Sequence, residues 1–265
     1  MSPVDLKAIR HILIMNKEGG EPLLNLPYQE MITDPALIAA LFRAVMDFLG
    51  RGLRQIIWEN KRYIFEGGEF VIVVMGLGRV EDVSEYQKML KTILREFEEK
   101  HEKKTLNMGD MRPFKEDALL IIRQFPMTAI NYDYTPIAIQ GKEFNWQVGI
   151  LDEKIEQLMK FVNGKRSVRQ ILKSISMSEN DVIGILSILK KYEWVKFKRP
   201  IRDDDILVRN KRIGEVLITA PELIESFDGK RTFREIKESV PYEPSVTIYL
   251  TSKLIESGTL RFIDA

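Results

Sequence analysis

Residues 9–28 read IRHILIMNKEGGEPLLNLPY, and this stretch decides how the first half of the chain folds. Ile9 to Asn16 is an apolar run with β-branched residues, Glu18-Gly19-Gly20 is a turn, and Pro22 to Tyr28 reads as a second strand, so the two runs form a hairpin. Downstream, Asp34 is a good N-cap, and Pro35 occupies the first helical position, where its missing N–H costs little. A helix over 34–49 is expected. Arg54 to Glu59, Arg62 to Glu66 and Glu69 to Leu77 read as strands from their alternation and β-branched content, the last two turning at Gly67-Gly68. Val83, Tyr86, Leu90, Ile93 and Phe97 fall on one face of a helix over 82–101, and a shorter helix is expected over 115–124.

The second half repeats itself without a gap. At a shift of 65 positions, Glu156 to Phe197 lies over Pro221 to Phe262, with Gly164-Lys165-Arg166 on Gly229-Lys230-Arg231, Arg169 on Arg234 and Leu189 on Leu254. Each copy reads as three helices and a short strand. Asn163-Gly164 and Asp228-Gly229 are expected to end the first helix, because glycine reaches the left-handed conformation a helix C-terminus often needs. Ser167 with Gln170, and Thr232 with Glu235, form capping boxes for the second helix. The third runs over 178–192 and 244–257, followed by the strands 194–197 and 259–262. Three helices closing on a strand is the winged-helix plan. The third helices nevertheless open on Ser178-Glu179-Asn180-Asp181 and Glu243-Pro244-Ser245, whose carboxylates suit a helix N-terminus but repel phosphates. Protein binding is therefore favoured over nucleic acid for these modules.

The expected class is α+β: a sheet domain over 1–127, a connecting segment over 128–150 rich in aromatics such as Tyr132, Tyr134, Phe144 and Trp146, and winged-helix-like modules over 151–200 and 213–265. With 40 basic and 39 acidic residues, no global field draws the chain to nucleic acid or anionic membrane. The absence of cysteine excludes disulfides and thiolate chemistry, and a cytoplasmic location without direct membrane insertion is expected.

The element order strand, strand, helix, three strands, helix, helix resembles that of longin domains. Ile12-Leu13-Ile14-Met15 entering Glu18-Gly19-Gly20-Glu21-Pro22-Leu23-Leu24 looks like that family's opening hairpin, and the stretches 34–49 and 81–98 look like its first two helices. The related roadblock fold differs mainly in helix order. The resemblance implies a scaffold for dimerisation, for small Ras-like GTPases or for trafficking complexes. Longin domains joined to winged helices also resemble nitrogen-permease-regulator-like subunits, in which an arginine of a longin loop enters a GTPase nucleotide site. This chain departs from that plan: the turn Phe65-Glu66-Gly67-Gly68-Glu69 carries no arginine, and Arg62 and Arg79 lie to either side of it.

Helix 34–49 carries the candidate site. At 100° per residue its apolar side chains span an arc of about 200°, twice what packing on one sheet requires. Leu37, Leu41 and Val45 are expected to face the sheet, leaving Phe42 and Met46 at the edge beside Ala36 and Ala39. Either the chain's own C-terminal half or a partner covers that edge. Ala39, Phe42 and Met46 are the candidate protein interface, and the partner is a small GTPase, another longin or roadblock protein, or a second copy.

Catalytic chemistry finds few groups. His11 sits in the first strand as a core or sheet-edge residue, and His101 ends a helix, where a cation meets the dipole. Gly76-Leu77-Gly78 lacks the third glycine of a dinucleotide turn, no phosphate loop is present, and Asp203-Asp204-Asp205 reads as a solvated linker. No catalytic, cofactor or metal residue is assigned. The expected function is a non-catalytic adaptor, with a DNA-associated transcriptional regulator as the alternative.

Overall fold

The structure, a computed structural model, describes residues 4–29, 35–58, 61–101, 114, 117–141, 150–210 and 220–263. Asp34, Glu59, Lys115, Phe144 and Trp146, all used above, lie outside them. The chain forms two compact units, Met1–Lys198 and Arg199–Ala265.

Unit 1 is a mixed α/β structure built on a five-stranded antiparallel sheet. Strands β1 (Ile9–Asn16), β2 (Pro22–Pro27), β3 (Gln55–Trp58), β4 (Lys61–Gly67) and β5 (Val71–Leu77) take the order β2-β1-β5-β4-β3. The hairpin pairs Ile12 with Leu26 and Ile14 with Leu24, and β1 pairs Leu13 with Val74 in the middle of the sheet. Because successive side chains alternate, the sheet has two apolar faces and needs two covers. Leu13, Met15, Phe65, Ile72 and Val74 meet helix α1 (Pro35–Gly50), which buries Leu41 and Val45. Ile12, Ile14, Val73 and Met75 meet helix α2 (Ser84–Lys100), whose Tyr86, Leu90, Ile93 and Phe97 are all buried. Burying each such side chain contributes about 1.5–3 kcal/mol before chain entropy is charged against it.

The second face carries more than α2. Helix α3 (Ala118–Gln124) packs beside it, and the same apolar cluster runs without a break into α4 (Ile150–Met159), α5 (Val168–Ser174) and α6 (Glu179–Lys191). Gly184 of α6 lies so close to α3 that an added Cβ would sit 3.1 Å from the Ile122 carbonyl oxygen. Ser187 Oγ accepts the Met127 N–H at 2.9 Å and donates to the Gly184 carbonyl at 2.6 Å. Tyr28, fully enclosed, donates its hydroxyl to the Phe125 carbonyl at 2.5 Å, and desolvation pushes its pKa upward, so it stays a donor.

Strand β6 (Thr135–Ala138) in the connecting segment pairs with β7 (Val195–Lys198) after α6. Unit 2 repeats this plan with β8 (Ile206–Arg209), α7 (Pro221–Ser226), β9 (Asp228–Thr232), α8 (Phe233–Ser239), α9 (Pro244–Glu256) and β10 (Leu260–Phe262), its sheet running β10-β8-β9. Both capping boxes are present, at Ser167 with Gln170 and at Thr232 with Glu235. The glycines differ from expectation. Gly164 and Gly229 do have φ of +75° and +77°, but α4 and α7 end before them, at Met159 and Ser226. Asn163 bridges to Ile137 and Asp228 starts β9, so each glycine turns the chain into a strand contact instead of closing a helix.

The side chain before each glycine holds that turn. Asn163 Oδ1 accepts the Lys165 N–H at 3.1 Å, and Asp228 Oδ1 accepts the N–H groups of Lys230 at 2.8 Å and Arg231 at 3.0 Å. The backbone donors hold the Asp228 carboxyl down at about 2, with Arg231 adding to the effect. A pKa depressed on folding contributes stability that is present above the unfolded value, about 3.9, and lost as pH falls toward 2. Asp228→Asn imports the neutral acceptor of the first copy. Acid titrations of unit 2 unfolding, followed by circular dichroism between pH 4 and 2, should therefore be flatter for Asp228→Asn than for the native chain.

Candidate protein-binding site

Helix α1 has two apolar ridges and one sheet to cover. Leu41 and Val45 are buried against that sheet, whereas Ile38, Phe42 and Met46 are half-buried and Ala39 is exposed. The hairpin turn reaches the second ridge at Gly20, where φ is +77° and an added Cβ would stand 2.5 Å from Phe42 Cδ1, so only glycine lets the turn close on the ring. Between them runs a groove of about 530 Å³ lined by Gly20, Pro22, Ile38, Ala39, Phe42 and Arg43. Ala39 and Phe42 thus share one groove. Met46 follows Phe42 by one turn on the same ridge and lies outside the groove lining.

Among the described residues, strand β3 is one of the two edges of the sheet. Leu53 before it and Ile57 within it are exposed, and an edge strand offers unpaired N–H and C=O groups to another chain. Ile57 lines a second groove of about 520 Å³ with Lys61, Arg62, Gly78, Arg79 and Val80. Arg62 and Arg79, the arginines on either side of the Gly67-Gly68 turn, therefore line one groove. They meet at the Gly78 end of the sheet, and Arg62 Nη1 donates to the Glu81 carbonyl at 3.5 Å. The other end is tied down: Glu98 Oε1 accepts the N–H groups of Phe70 at 2.9 Å and Val71 at 3.2 Å, and Lys17 Nζ donates to the Gly68 carbonyl at 2.5 Å.

Several titratable groups are held by packing and ion pairs. His11 is fully buried on the α1 face, its ring 5.7 Å from that of Tyr63, and Gly76 opposite leaves the room the imidazole fills. His101 Nε2 and Lys100 Nζ both meet the buried Asp117 carboxylate, each at 2.6 Å, which ties the end of α2 to the start of α3. Glu66 is buried near Arg54 and Lys91, and desolvation raises its pKa against the pull of both cations. The Asp203–Asp205 run is not a solvated linker. Asp205 is buried, pairs with Arg199 at 2.5 Å and accepts the Arg202 N–H at 2.6 Å, while Asp203 holds Lys237 at 2.5 Å. Among the described residues no three His, Asp or Glu side chains could hold a metal ion, and no helix is long and apolar enough to cross a membrane.

No protein-family model matches the chain, and no curated protein is similar to it. Sequence reasoning missed β3 as part of the site and missed the Lys100–His101–Asp117 cluster. The adjacent apolar pair Ile56-Ile57 was the available signal for the first, since neighbouring strand residues point to opposite faces. The cluster had none, since Lys100 and His101 stand 17 and 16 positions from Asp117 in the sequence.

Proposed function

We propose that this chain is a non-catalytic adaptor that binds a protein partner on the outer ridge of α1, with a longin-type domain over 1–127 followed by winged-helix-like modules over 151–200 and 213–265. The carrying observation is the unequal treatment of the two ridges of one helix: Leu41 and Val45 are sealed in, while Phe42 and Met46 remain half-open beside a groove. Apolar surface left at a groove with a charged rim, here Arg43 and Glu21, is the usual composition of a protein-binding patch. The sheet order with helices on both faces supports the longin-type reading, and through it a small Ras-like GTPase or another longin or roadblock protein in the cytoplasm as partner.

The surroundings of α6 weigh against groove reading of DNA. A recognition helix must offer one whole face to bases, yet α6 buries Asp181, Gly184, Ser187 and Ile188 as well as its inner stripe, and α3 lies against Gly184. Binding to duplex DNA through the first module should therefore be weak and show no sequence preference.

The test is capture of a panel of small Ras-like GTPases, each loaded with GDP or a non-hydrolysable GTP analogue. Phe42→Asp should weaken the captured complex at least about tenfold, as for a central interface residue. Met46→Lys, which leaves the Gly20 contact intact, should weaken it too. Unchanged capture by both folded variants would refute the assignment of this ridge.

A further inference from the structure

Asn163 precedes Gly164, and every other asparagine of the chain precedes a larger residue. Glycine has no side chain to hinder its own backbone nitrogen, so an asparagine before glycine is the most open to attack by that nitrogen. Asn163 is exposed, and the Lys165 N–H donates to its Oδ1 at 3.1 Å. A donor on that oxygen stabilises the negative charge that develops there when a nucleophile adds to Cγ, as an oxyanion hole does. The nucleophile is guarded. The Gly164 N–H donates to the Pro136 carbonyl of β6 at 3.2 Å, and Asn163 itself bridges to Ile137 of the same strand. An activated side-chain carbonyl and the nitrogen that can attack it thus share one turn, and β6 holds the nitrogen back.

We infer that Asn163 is a site of spontaneous deamidation, gated by release of β6, whose aspartate product gives the first module the turn that the second already has. The step needs only water. The Gly164 nitrogen gives its proton to solvent and bonds to Asn163 Cγ; the Cγ–Nδ2 bond breaks, and the side-chain nitrogen takes a proton from solvent and leaves as ammonia. Water then opens the cyclic imide and the Gly164 N–H is restored. Opening at Cγ leaves aspartate, and opening at the Asn163 backbone carbonyl leaves isoaspartate. The repeat shows what the aspartate meets. At the equivalent pair Asp228-Gly229, Asp228 Oδ1 accepts the N–H groups of Lys230 and Arg231, and Oδ2 accepts Arg231 Nε at 3.0 Å. The matching Arg166 of the first module lies over the Phe161 ring at 5.5 Å, and the neutral Asn163 offers it no charge. An aspartate at position 163 supplies that charge, in a turn whose glycine has φ of +75° against +77° in the second copy. Isoaspartate instead lengthens the main chain by a methylene and breaks the bridge to Ile137 together with the bond from Gly164 to Pro136. Asp228 is shielded from the same cyclisation, because a carboxylate ionised against Arg231 is a poor electrophile. None of this depends on the α1 ridge.

The full-length folded chain, held in mildly alkaline buffer at physiological temperature, should accumulate an acidic variant on ion exchange. Peptide mapping should place the new aspartate or isoaspartate at position 163. Asn163→Gln, whose longer side chain must close a larger ring, should form no such variant over the same period, and Asn163→Asp should fold and elute with the aspartate product. The urea-unfolded chain should convert about two- to tenfold faster than the folded one, the factor expected when one hydrogen bond no longer has to be given up. A folded chain that stays unmodified while the unfolded chain converts fully overturns the inference, as does an acidic variant that persists in Asn163→Gln. Conversion in the folded chain as fast as in the unfolded one, or faster, removes the gate on β6.

Discussion

Replacing Phe97 with alanine should cost unit 1 about 3–5 kcal/mol, the upper range for truncating a core residue. The ring is fully buried at the last turn of α2, 5.8 Å from the Phe114 ring and 4.7 Å from the His101 ring. Backbone on both sides is fixed, by the helix and by the sheet, so the void has little room to collapse. The loss has a second part. His101 packs on Phe97 while its Nε2 meets Asp117, and a cavity under the imidazole frees it to leave a fully buried carboxylate with Lys100 alone. Against a typical total of 5–15 kcal/mol, this change should bring unit 1 close to unfolding at 37 °C. Urea denaturation would measure it, with Phe97→Leu as the companion losing less than about 1.5 kcal/mol. A loss below about 1 kcal/mol for Phe97→Ala would mean that the ring fills space without bearing on the Asp117 cluster. A double-mutant cycle with Asp117→Asn should show a coupling of about 0.5–3 kcal/mol between the two.

Phe97 was readable from the sequence because it belongs to a single stripe. Tyr86, Leu90, Ile93 and Phe97 repeat at helical spacing, and a stripe of that width has one physical solution. The opening hairpin was readable because an apolar run of strand length meets a Gly-Gly turn, the pattern of a strand covered on both faces. Short strands that pair far along the chain were not. Strands β6 and β8 hold equivalent places: Val168 N–H reaches the Tyr134 carbonyl as Phe233 N–H reaches that of Asp205. Yet Tyr134 to Asp205 is a step of 71 positions, against 65 from Val168 to Phe233. An unequal insertion between strand and helix had broken the register on which the repeat was recognised. A four-residue strand carries too little pattern to be found alone.

The same limit applies to charge. Three adjacent aspartates read as solvated because nothing local reveals a partner, and the folded chain gives Asp205 and Asp203 different ones, Arg199 and Lys237. Arg199 also lies over the Phe262 ring at 4.2 Å, which buries both against the strand that closes unit 2. The width of the apolar arc on α1 was legible, since it depends only on helical geometry. That the hairpin turn would close on the Phe42 ring at Gly20 was not, because that contact joins residues far apart in the sequence.

Gly184→Leu should be the most damaging change in the first module, and the contrast with its repeat partner makes it diagnostic. Gly184 faces both the backbone and the side chain of Ile122: the ideal Cβ lies 3.1 Å from the carbonyl oxygen and 3.2 Å from the carbonyl carbon and from Cγ1. Alanine there is tight by a few tenths of an ångström but gains about 1 kcal/mol of helix propensity, so Gly184→Ala should be near neutral. Leucine adds a branched chain that must push α3 off α6, with an overpacking cost of about 1–3 kcal/mol. The displacement also breaks the bond from Met127 N–H to Ser187 Oγ, leaving buried polar groups unsatisfied at about 1–3 kcal/mol more. Hydrogen exchange should show lost protection in α3 and α6 first, with the hairpin of β1 and β2 protected longest, since α1 holds the sheet from its other face. Equal loss of protection across unit 1 would mean that α3 and α6 do not separate from the sheet. At the repeat position, Tyr249→Gly removes an exposed side chain and should cost only the difference in helix propensity between tyrosine and glycine, about 0.5 kcal/mol. Sequence position alone predicts equal effects at the two sites; the covered and open helix faces predict unequal ones.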